Sequence, residues 1–247
     1  MHELLPDVRG SVKLTAMSAG SESLSEPARR PRLPHRQLLA DDVYESVKGL
    51  LMDHSIAPGA RLSIDGLARE LQVSQTPIRE TLARLESEGL VTKAPLRGYS
   101  ATDLLSREEV LDIYRFRGLL EPWVAARAAE RASDEALARI ETELATCPVA
   151  PAGTGYSDYR RISAHDARFH DLLAEIAGSA QVRAALTRTH AHLHLFRISY
   201  GQAIGSETLR EHHEIARAIA ARSPRRAEQA MRAHLETAKD RLLPAAG

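Results

Sequence analysis

Asp166 and His170 stand four residues apart, the spacing that puts two side chains on one face of a helix. One carboxylate oxygen and one imidazole nitrogen are thereby offered to the same ion. His212, within Glu211-His212-His213-Glu214-Ile215, and His234, within Met231-Arg232-Ala233-His234-Leu235, lie farther along the chain. Three imidazoles and a carboxylate suit zinc, nickel, manganese or iron, and leave coordination positions for a small molecule. The residue types alone also fit surface histidines on alanine- and arginine-rich helices, since the chain holds 11 histidines. His190, His192 and His194 alternate along one expected helix, where only His190 and His194 share a face; they are read as solvent-facing.

A second chemistry lies in Ser74-Gln75-Thr76-Pro77-Ile78-Arg79-Glu80 and the residues up to Gly89. Ser74 or Thr76 can cap a helix, Pro77 is tolerated in its first turn, Ile78, Leu82 and Leu85 recur at helical spacing, and Gly89 suits the stop. Leu67, Ala68, Leu71 and Val73 supply the buried side of a shorter helix just before, starting at Ser63. Leu90–Lys93 and Tyr99–Ala101 read as two strands around Pro95-Leu96-Arg97-Gly98. Helix, tight turn, helix and hairpin form a winged helix-turn-helix, which sets its second helix in the major groove of double-stranded DNA.

The elements that must position these groups follow from pattern and caps. Residues 1–36 are rich in Ser, Pro, Gly and charge and read as a disordered arm. Its basic end, from Arg29 to Arg36, is either a solvated tail or an arm touching phosphate. Residues 37–103 make the winged domain, whose first helix runs from Asp41 to about His54. Residues 104–247 make an all-α antiparallel bundle, opened by the capping box Ser106-Arg107-Glu108-Glu109. Its helices are expected at about 107–131, 134–146, 157–177, 180–202, 206–222 and 224–243, with a loop over Pro148–Gly155. The fold class is therefore mainly α, a winged helix-turn-helix followed by a helical bundle.

Composition narrows the function. The net charge is +0, so contact with nucleic acid must come from a local cluster of cations. The winged domain itself carries Asp41, Asp42, Glu45, Asp53, Asp65, Glu70, Glu86 and Glu88, so one copy binds weakly and a homodimer on a palindromic operator is expected. The single cysteine, Cys147, excludes an intramolecular disulfide and fits a reducing cytoplasm; set before Pro148, it reads as an incidental thiol. No apolar run approaches the roughly 20 residues a bilayer requires, and the acidic, proline-broken start does not resemble a secretory signal.

The run Pro58-Gly59-Ala60-Arg61-Leu62, Leu67 to Ser74, Thr76 to Glu80, Leu82, Arg84-Leu85-Glu86 and Glu88 to Val91, extended by Arg97-Gly98, resembles the N-terminal domain of GntR-family regulators. Arg117 to Glu121, Asp166-x-x-Phe169-His170, Glu211-His212-x-x-Ile215-x-x-Ala218-Ile219 and Met231-x-x-His234 resemble the FCD ligand-binding domain of the FadR-type branch. The resemblance implies DNA contact by Ser74, Gln75, Thr76 and Arg79 of the recognition helix and by Lys93, Arg97 and Gly98 of the wing. Gln75 departs from the arginine common in relatives; glutamine suits adenine rather than guanine. It further implies a divalent metal, zinc first, on Asp166, His170, His212 and His234, with His212 rather than His213 in register. Arg117 matches an arginine that faces a ligand cavity, where its fork would hold a small carboxylate effector; its other reading is an ion pair with Glu121. The implied function is an effector-controlled transcriptional regulator, a repressor in the commoner case, and not an enzyme. Two alternatives stay open, a metal-dependent enzyme and a metal-free regulator of the acyl-CoA type. Against the enzyme, the chain has no His-Glu-x-x-His, no Glu-x-x-His pair of the di-iron kind and no Gly-rich phosphate loop.

Overall fold

The structure, a computed structural model, describes residues 34–150, 156–200 and 205–246. Residues 1–33, most of the expected arm, and the end of the Pro148–Gly155 loop lie outside the described residues.

Helix α1 spans Pro34–Met52 and begins earlier than expected, with proline in its first turn, where the missing N–H costs little. Strand β1 (Arg61–Leu62), α2 (Ile64–Glu70), α3 (Gln75–Ser87), β2 (Val91–Ala94) and β3 (Gly98–Ala101) complete the winged domain. The wing is a three-stranded antiparallel sheet in the order β1-β3-β2, so the sequence reading missed its short first strand. Ser63 caps α2 by accepting from the Gly66 N–H at 3.0 Å. Helix α3 ends as expected: Gly89 takes a φ of 76° and the Leu90 N–H bonds back to the Leu85 carbonyl at 3.0 Å. Ile78, Leu82 and Leu85 are fully buried against α1, whose Val47 and Leu51 are buried equally.

The bundle follows as α4 (Arg107–Arg131), α5 (Asp134–Ala145), α6 (Tyr156–Ala177), α7 (Ala180–Arg188), α8 (Ala191–Ile198), α9 (Gly205–Ala220) and α10 (Pro224–Leu242). The capping box at Ser106 and Glu109 is formed. One correction concerns the expected 180–202 helix, which is two helices, broken where His190 adopts a left-handed φ of 45°. The Thr189 hydroxyl stabilises the break by accepting from the Ala191 N–H at 3.2 Å. Neither glycine nor proline marks this corner, so the pattern ran straight through it.

Among the described residues two apolar clusters form. One fills the bundle around Phe169, Leu173, Ile215, Ile219 and Met231. The other is the core of the winged domain, and it recruits Cys147, Tyr159, Ile162, Phe196 and Leu209 from the helical region. His35–Gly247 accordingly packs as one compact unit. Cys147 is 1% exposed and burial pushes its thiol up, the environment of an inert structural cysteine. Among the described residues no helix is long and apolar enough to cross a membrane.

Candidate metal centre and DNA-reading face

Asp166 and His170 on α6, His212 on α9 and His234 on α10 converge inside the bundle, each offering a donor atom within 4.8 Å of the others. All four are buried, while His213 is exposed. The helices place them for local reasons. Phe169 is fully buried and stacks on the His212 ring at 4.1 Å between centroids, which sets the rotation of both α6 and α9.

A carboxylate, or a relay to one, stands behind each imidazole. His234 Nδ1 donates to Glu211 Oε2 at 2.8 Å, and Glu211 is itself held by both Arg241 Nη atoms at 2.7 and 3.0 Å. Glu121 Oε2 lies 2.8 Å from His170 Nδ1 but off the line of a hydrogen bond, so that nitrogen remains unpartnered. His212 Nδ1 is 3.0 Å from His165 Nε2, and His165 Nδ1 is 3.0 Å from Glu143 Oε1. A consistent proton assignment has His165 donating to Glu143 and His212 donating to His165, which leaves a lone pair on His212 Nε2. Such outer carboxylates orient metal-ligating histidines and raise their basicity.

The electrostatics of the site favour neutral imidazoles. Burial pulls the His170 imidazole down to about 4, against the Glu121 charge, and takes His212 well below its ordinary value. Both are neutral near pH 7, the form that binds a metal. Burial pushes the Asp166 carboxyl up, but the charges and hydrogen bonds of the surrounding histidines outweigh it, with His192 first, and keep it ionised. His212 Nε2 and Asp166 Oδ1 face each other at 3.3 Å, and with the proton of His212 on Nδ1 both present lone pairs. Among the described residues, the buried side-chain nitrogens and oxygens without a hydrogen-bond partner are His170 Nδ1, His170 Nε2 and His212 Nε2. Buried polar atoms are rarely left so, and the donor set here fits a divalent cation.

A cavity of about 30 Å³ adjoins this centre, lined by Arg117, Asp166, His192, Leu195, Phe196 and His234 among others. Arg117 does line it, yet its fork is engaged: Nε donates to Glu121 Oε1 at 2.6 Å and Nη2 to Oε2 at 3.2 Å. Both readings of Arg117 therefore have a structural counterpart.

The expectation for the alternating histidines is corrected. His192 is not solvent-facing; its Nδ1 lies 2.5 Å from Asp166 Oδ2. His194 Nε2 lies 3.1 Å from the Glu88 carbonyl. The break at His190 rotates α8 relative to α7, and no pattern in the sequence signals that rotation. Glu211 and Glu121 were more legible, one adjacent to His212 and the other a helical turn beyond Arg117. Arg241 lies two turns beyond His234 on α10, and no motif in the sequence singles it out.

On the reading face, Ser74, Gln75, Thr76 and Arg79 are exposed in the first turns of α3. Ser74 is the N-cap residue but its hydroxyl makes no capping bond. Gln75 links its neighbours, donating to Asp65 and accepting from Arg79 Nη2 at 3.3 Å. Lys93, Arg97 and Gly98 are exposed in the wing; Gly98 has a φ of 78° with open space around it, so conformation rather than crowding requires glycine. Leu96, which the sequence reading did not single out, stands fully exposed at the wing tip with a φ of 63°.

Comparison with known proteins bears on both halves of the chain. Residues 39–100 match the family of bacterial regulatory proteins, gntR family, and residues 112–237 match the FCD domain. The HTH-type transcriptional regulator YdhC of Bacillus subtilis is 29% identical over 194 residues, covering 77% of this chain and 85% of its own. The regulator LutR of the same organism is 28% identical over 210 residues, covering 77% and 95%. The solved structure of a GntR regulator from Rhodococcus sp. RHA1 has a TM-score of 0.63 at 24% identity, over 85% of this chain and all of that one. E. coli McbR/YncC has the same TM-score at 20% identity, over 83% and 96%. With a winged helix-turn-helix at one end, a histidine-centred bundle at the other and a family match to each, the chain belongs to the GntR family of DNA-binding transcriptional regulators, in the group that carries an FCD domain.

Proposed function

We propose that this regulator holds a divalent metal, zinc first, on Asp166, His170, His212 and His234, and that a small carboxylate effector bound beside it controls DNA affinity. The observation that carries the reading is a pair of unpartnered buried nitrogens, His170 Nε2 and His212 Nε2, lying 3.8 and 3.3 Å from Oδ1 of an ionised Asp166. The metal would supply a positive charge and open coordination positions for a carboxylate oxygen. Arg117 and Arg241, which also line the cavity, would add guanidinium donors to the same anion. Titration of the protein with zinc, followed by a thermal-shift screen of small organic acids, tests the reading; it fails if neither zinc nor an acid stabilises the fold.

The DNA-reading set is proposed as Ser74, Gln75, Thr76 and Arg79 with Lys93, Arg97 and Gly98. The free hydroxyl of Ser74 and the uncapped N–H groups of α3 favour a phosphate at the helix start. Arg79 is placed to contact a base edge, steadied by Gln75. Arg79→Ala should weaken binding to DNA selected by the wild-type protein about 5- to 150-fold, the worth of roughly 1–3 kcal/mol per good base contact. Fluorescence anisotropy on a selected duplex and on its single-base variants would check this; an unchanged affinity removes Arg79 from the set.

We infer a homodimer, in the cytoplasm, on a palindromic site. Its support is the acidic surround of each reader, which makes one copy weak, and the apolar outer face of α4. There Leu119 is 77% and Trp123 45% exposed, one helical turn apart. Large apolar side chains exposed together mark association surfaces. Trp123→Glu should convert the dimer to a monomer in sedimentation at micromolar concentration. A dimer unaffected by this change places the interface elsewhere. Relief of repression by the effector is the proposed sign of control; one relative, RspR of E. coli, is named a transcriptional repressor.

A further inference from the structure

The wing ends in a residue that folding does not account for. Strands β2 and β3 stay in register up to the pair Ala94 and Gly98, which leaves Pro95, Leu96 and Arg97 as the loop. The Arg97 N–H donates to the Ala94 carbonyl at 3.1 Å and closes a turn with Pro95 and Leu96 at its centre. Proline first and a positive φ second are the marks of a type II turn, whose second central place suits glycine or asparagine. Leu96 stands there with a φ of 63°. In that conformation the Cβ of an L residue is crowded by its own backbone. Leu96 is also fully exposed, and among the described residues it is the one large apolar side chain that the winged domain leaves in solvent. Neither the turn nor the core gains from leucine at this place.

Its surroundings suit a polyanion. From Gly89 to Thr102 the chain has no acidic residue, in a domain otherwise rich in them. Lys93 and Arg97 are exposed there, and among the described residues no carboxylate pairs with either. Lys93 Nζ lies 5.4 Å from the centroid of the Tyr99 ring across the hairpin. The hairpin is also fixed to recognition helix α3. Val91 and Ala101, at its feet, are both 2% exposed and share the core of Leu82 and Leu85. A proline-stiffened apex on such a base presents Leu96 at a set offset from α3, with little freedom left to lose on binding. Proteins that enter the minor groove combine arginine or lysine with an apolar wedge, leucine among them, set between two base pairs.

We propose that Leu96 is such a wedge: with α3 in the major groove, it enters the adjacent minor groove and partly unstacks one base-pair step beneath each wing, with Arg97 beside it along the groove. The steps that yield most readily are pyrimidine–purine, TA or CA/TG, so Leu96 makes the regulator select DNA by deformability where no hydrogen bond reads a base. The inference rests on the assignment of the wing to DNA, which Arg97→Ala tests separately. The experiment uses full-length protein and a duplex that it selects from a random pool. The probe is 2-aminopurine, whose fluorescence rises on unstacking, placed in turn at each adenine of that duplex. Wild type should raise the emission at one step per wing, and Leu96→Asn should not. Exchanging that step for the stiffer AA should cost wild type about tenfold in affinity and Leu96→Asn little. Asparagine suits the turn, so the variant should unfold at a midpoint no lower than that of wild type. Emission that rises nowhere, or equally with Leu96→Asn, overturns the wedge. A lower midpoint also overturns it, by making Leu96 a structural residue. So does a loss on exchanging thymine for uracil that wild type shows and Leu96→Asn does not, which would make Leu96 a contact to a thymine methyl in the major groove. If Arg97→Ala weakens binding and Leu96→Asn does not, the wedge fails and the wing assignment stands; if neither weakens binding, both fail.

Discussion

Zinc at a thousandfold excess over its dissociation constant is expected to raise the unfolding midpoint of the metal-free protein by about 8–16 °C, and His212→Ala to abolish most of that rise. The magnitude follows from linkage: a ligand at such excess contributes about 4 kcal/mol when it binds only the folded state. For chains of 150–250 residues, roughly 2–4 °C accompany each kcal/mol. His212 is the sharpest choice because its ring is fully buried, its Nδ1 is engaged by His165, and its Nε2 meets Asp166 with no hydrogen-bond partner. The comparison is between midpoints with and without zinc for each protein, so the cavity that alanine leaves against Phe169 cancels. Differential scanning fluorimetry with and without a chelator provides the measurement. An equal rise in the variant would move the zinc elsewhere, and no rise in wild type would remove the metal reading altogether.

Arg117→Met is expected to lower stability by about 3–5 kcal/mol, because it leaves Glu121 as an uncompensated charge in the bundle interior. Arg117 and Glu121 are 3% and 2% exposed, and the pair is joined by two hydrogen bonds. Burial raises the Glu121 carboxyl, yet the Arg117 charge and then His170 hold it well below the carboxylate range. Removing Arg117 leaves the burial and takes away the larger compensation. The double variant Arg117→Met/Glu121→Leu should recover most of the loss, since replacing a whole buried pair with apolar side chains is often neutral. It should nevertheless weaken zinc binding about 10- to 100-fold, the usual cost of losing an outer carboxylate behind a metal-bound histidine. Urea unfolding gives the first quantity and competition with a zinc-selective dye the second. If the single variant is as stable as wild type, Arg117 is not the counter-ion it is taken for.

Most of the fold was legible because it is written in short-range terms. Ser63, Ser106 and Ser133 cap their helices, Gly89 and Gly178 stop theirs in left-handed conformations, and the expected helices 107–131 and 224–243 match α4 and α10 within a residue. The break at His190 was not legible, because it depends on packing on both sides of α8 rather than on a local breaker. The same misreading hid His192: on a straight helix it alternates away from its neighbours, and only the rotated α8 brings it to Asp166. The boundary at Asp103 had the same limitation. Turn and cap signals locate the end of the wing, but they carry nothing about Tyr159, Ile162, Phe196 and Leu209 joining the core of the winged domain.

From the residues by themselves came the two working parts, a helix start shaped for DNA and an Asp-His pair at helical spacing, because caps and periodicity act over a few residues. Only the tertiary structure decided what surrounds them. It set Glu121, Glu211 and the His165–Glu143 relay behind the three imidazoles, and it closed Arg117 on Glu121. It also put one short helix between the histidine centre and the ends of α1 and α3. These contacts join residues distant in the chain, and their geometry depends on how whole helices rotate and pack, which no spacing within a single helix encodes.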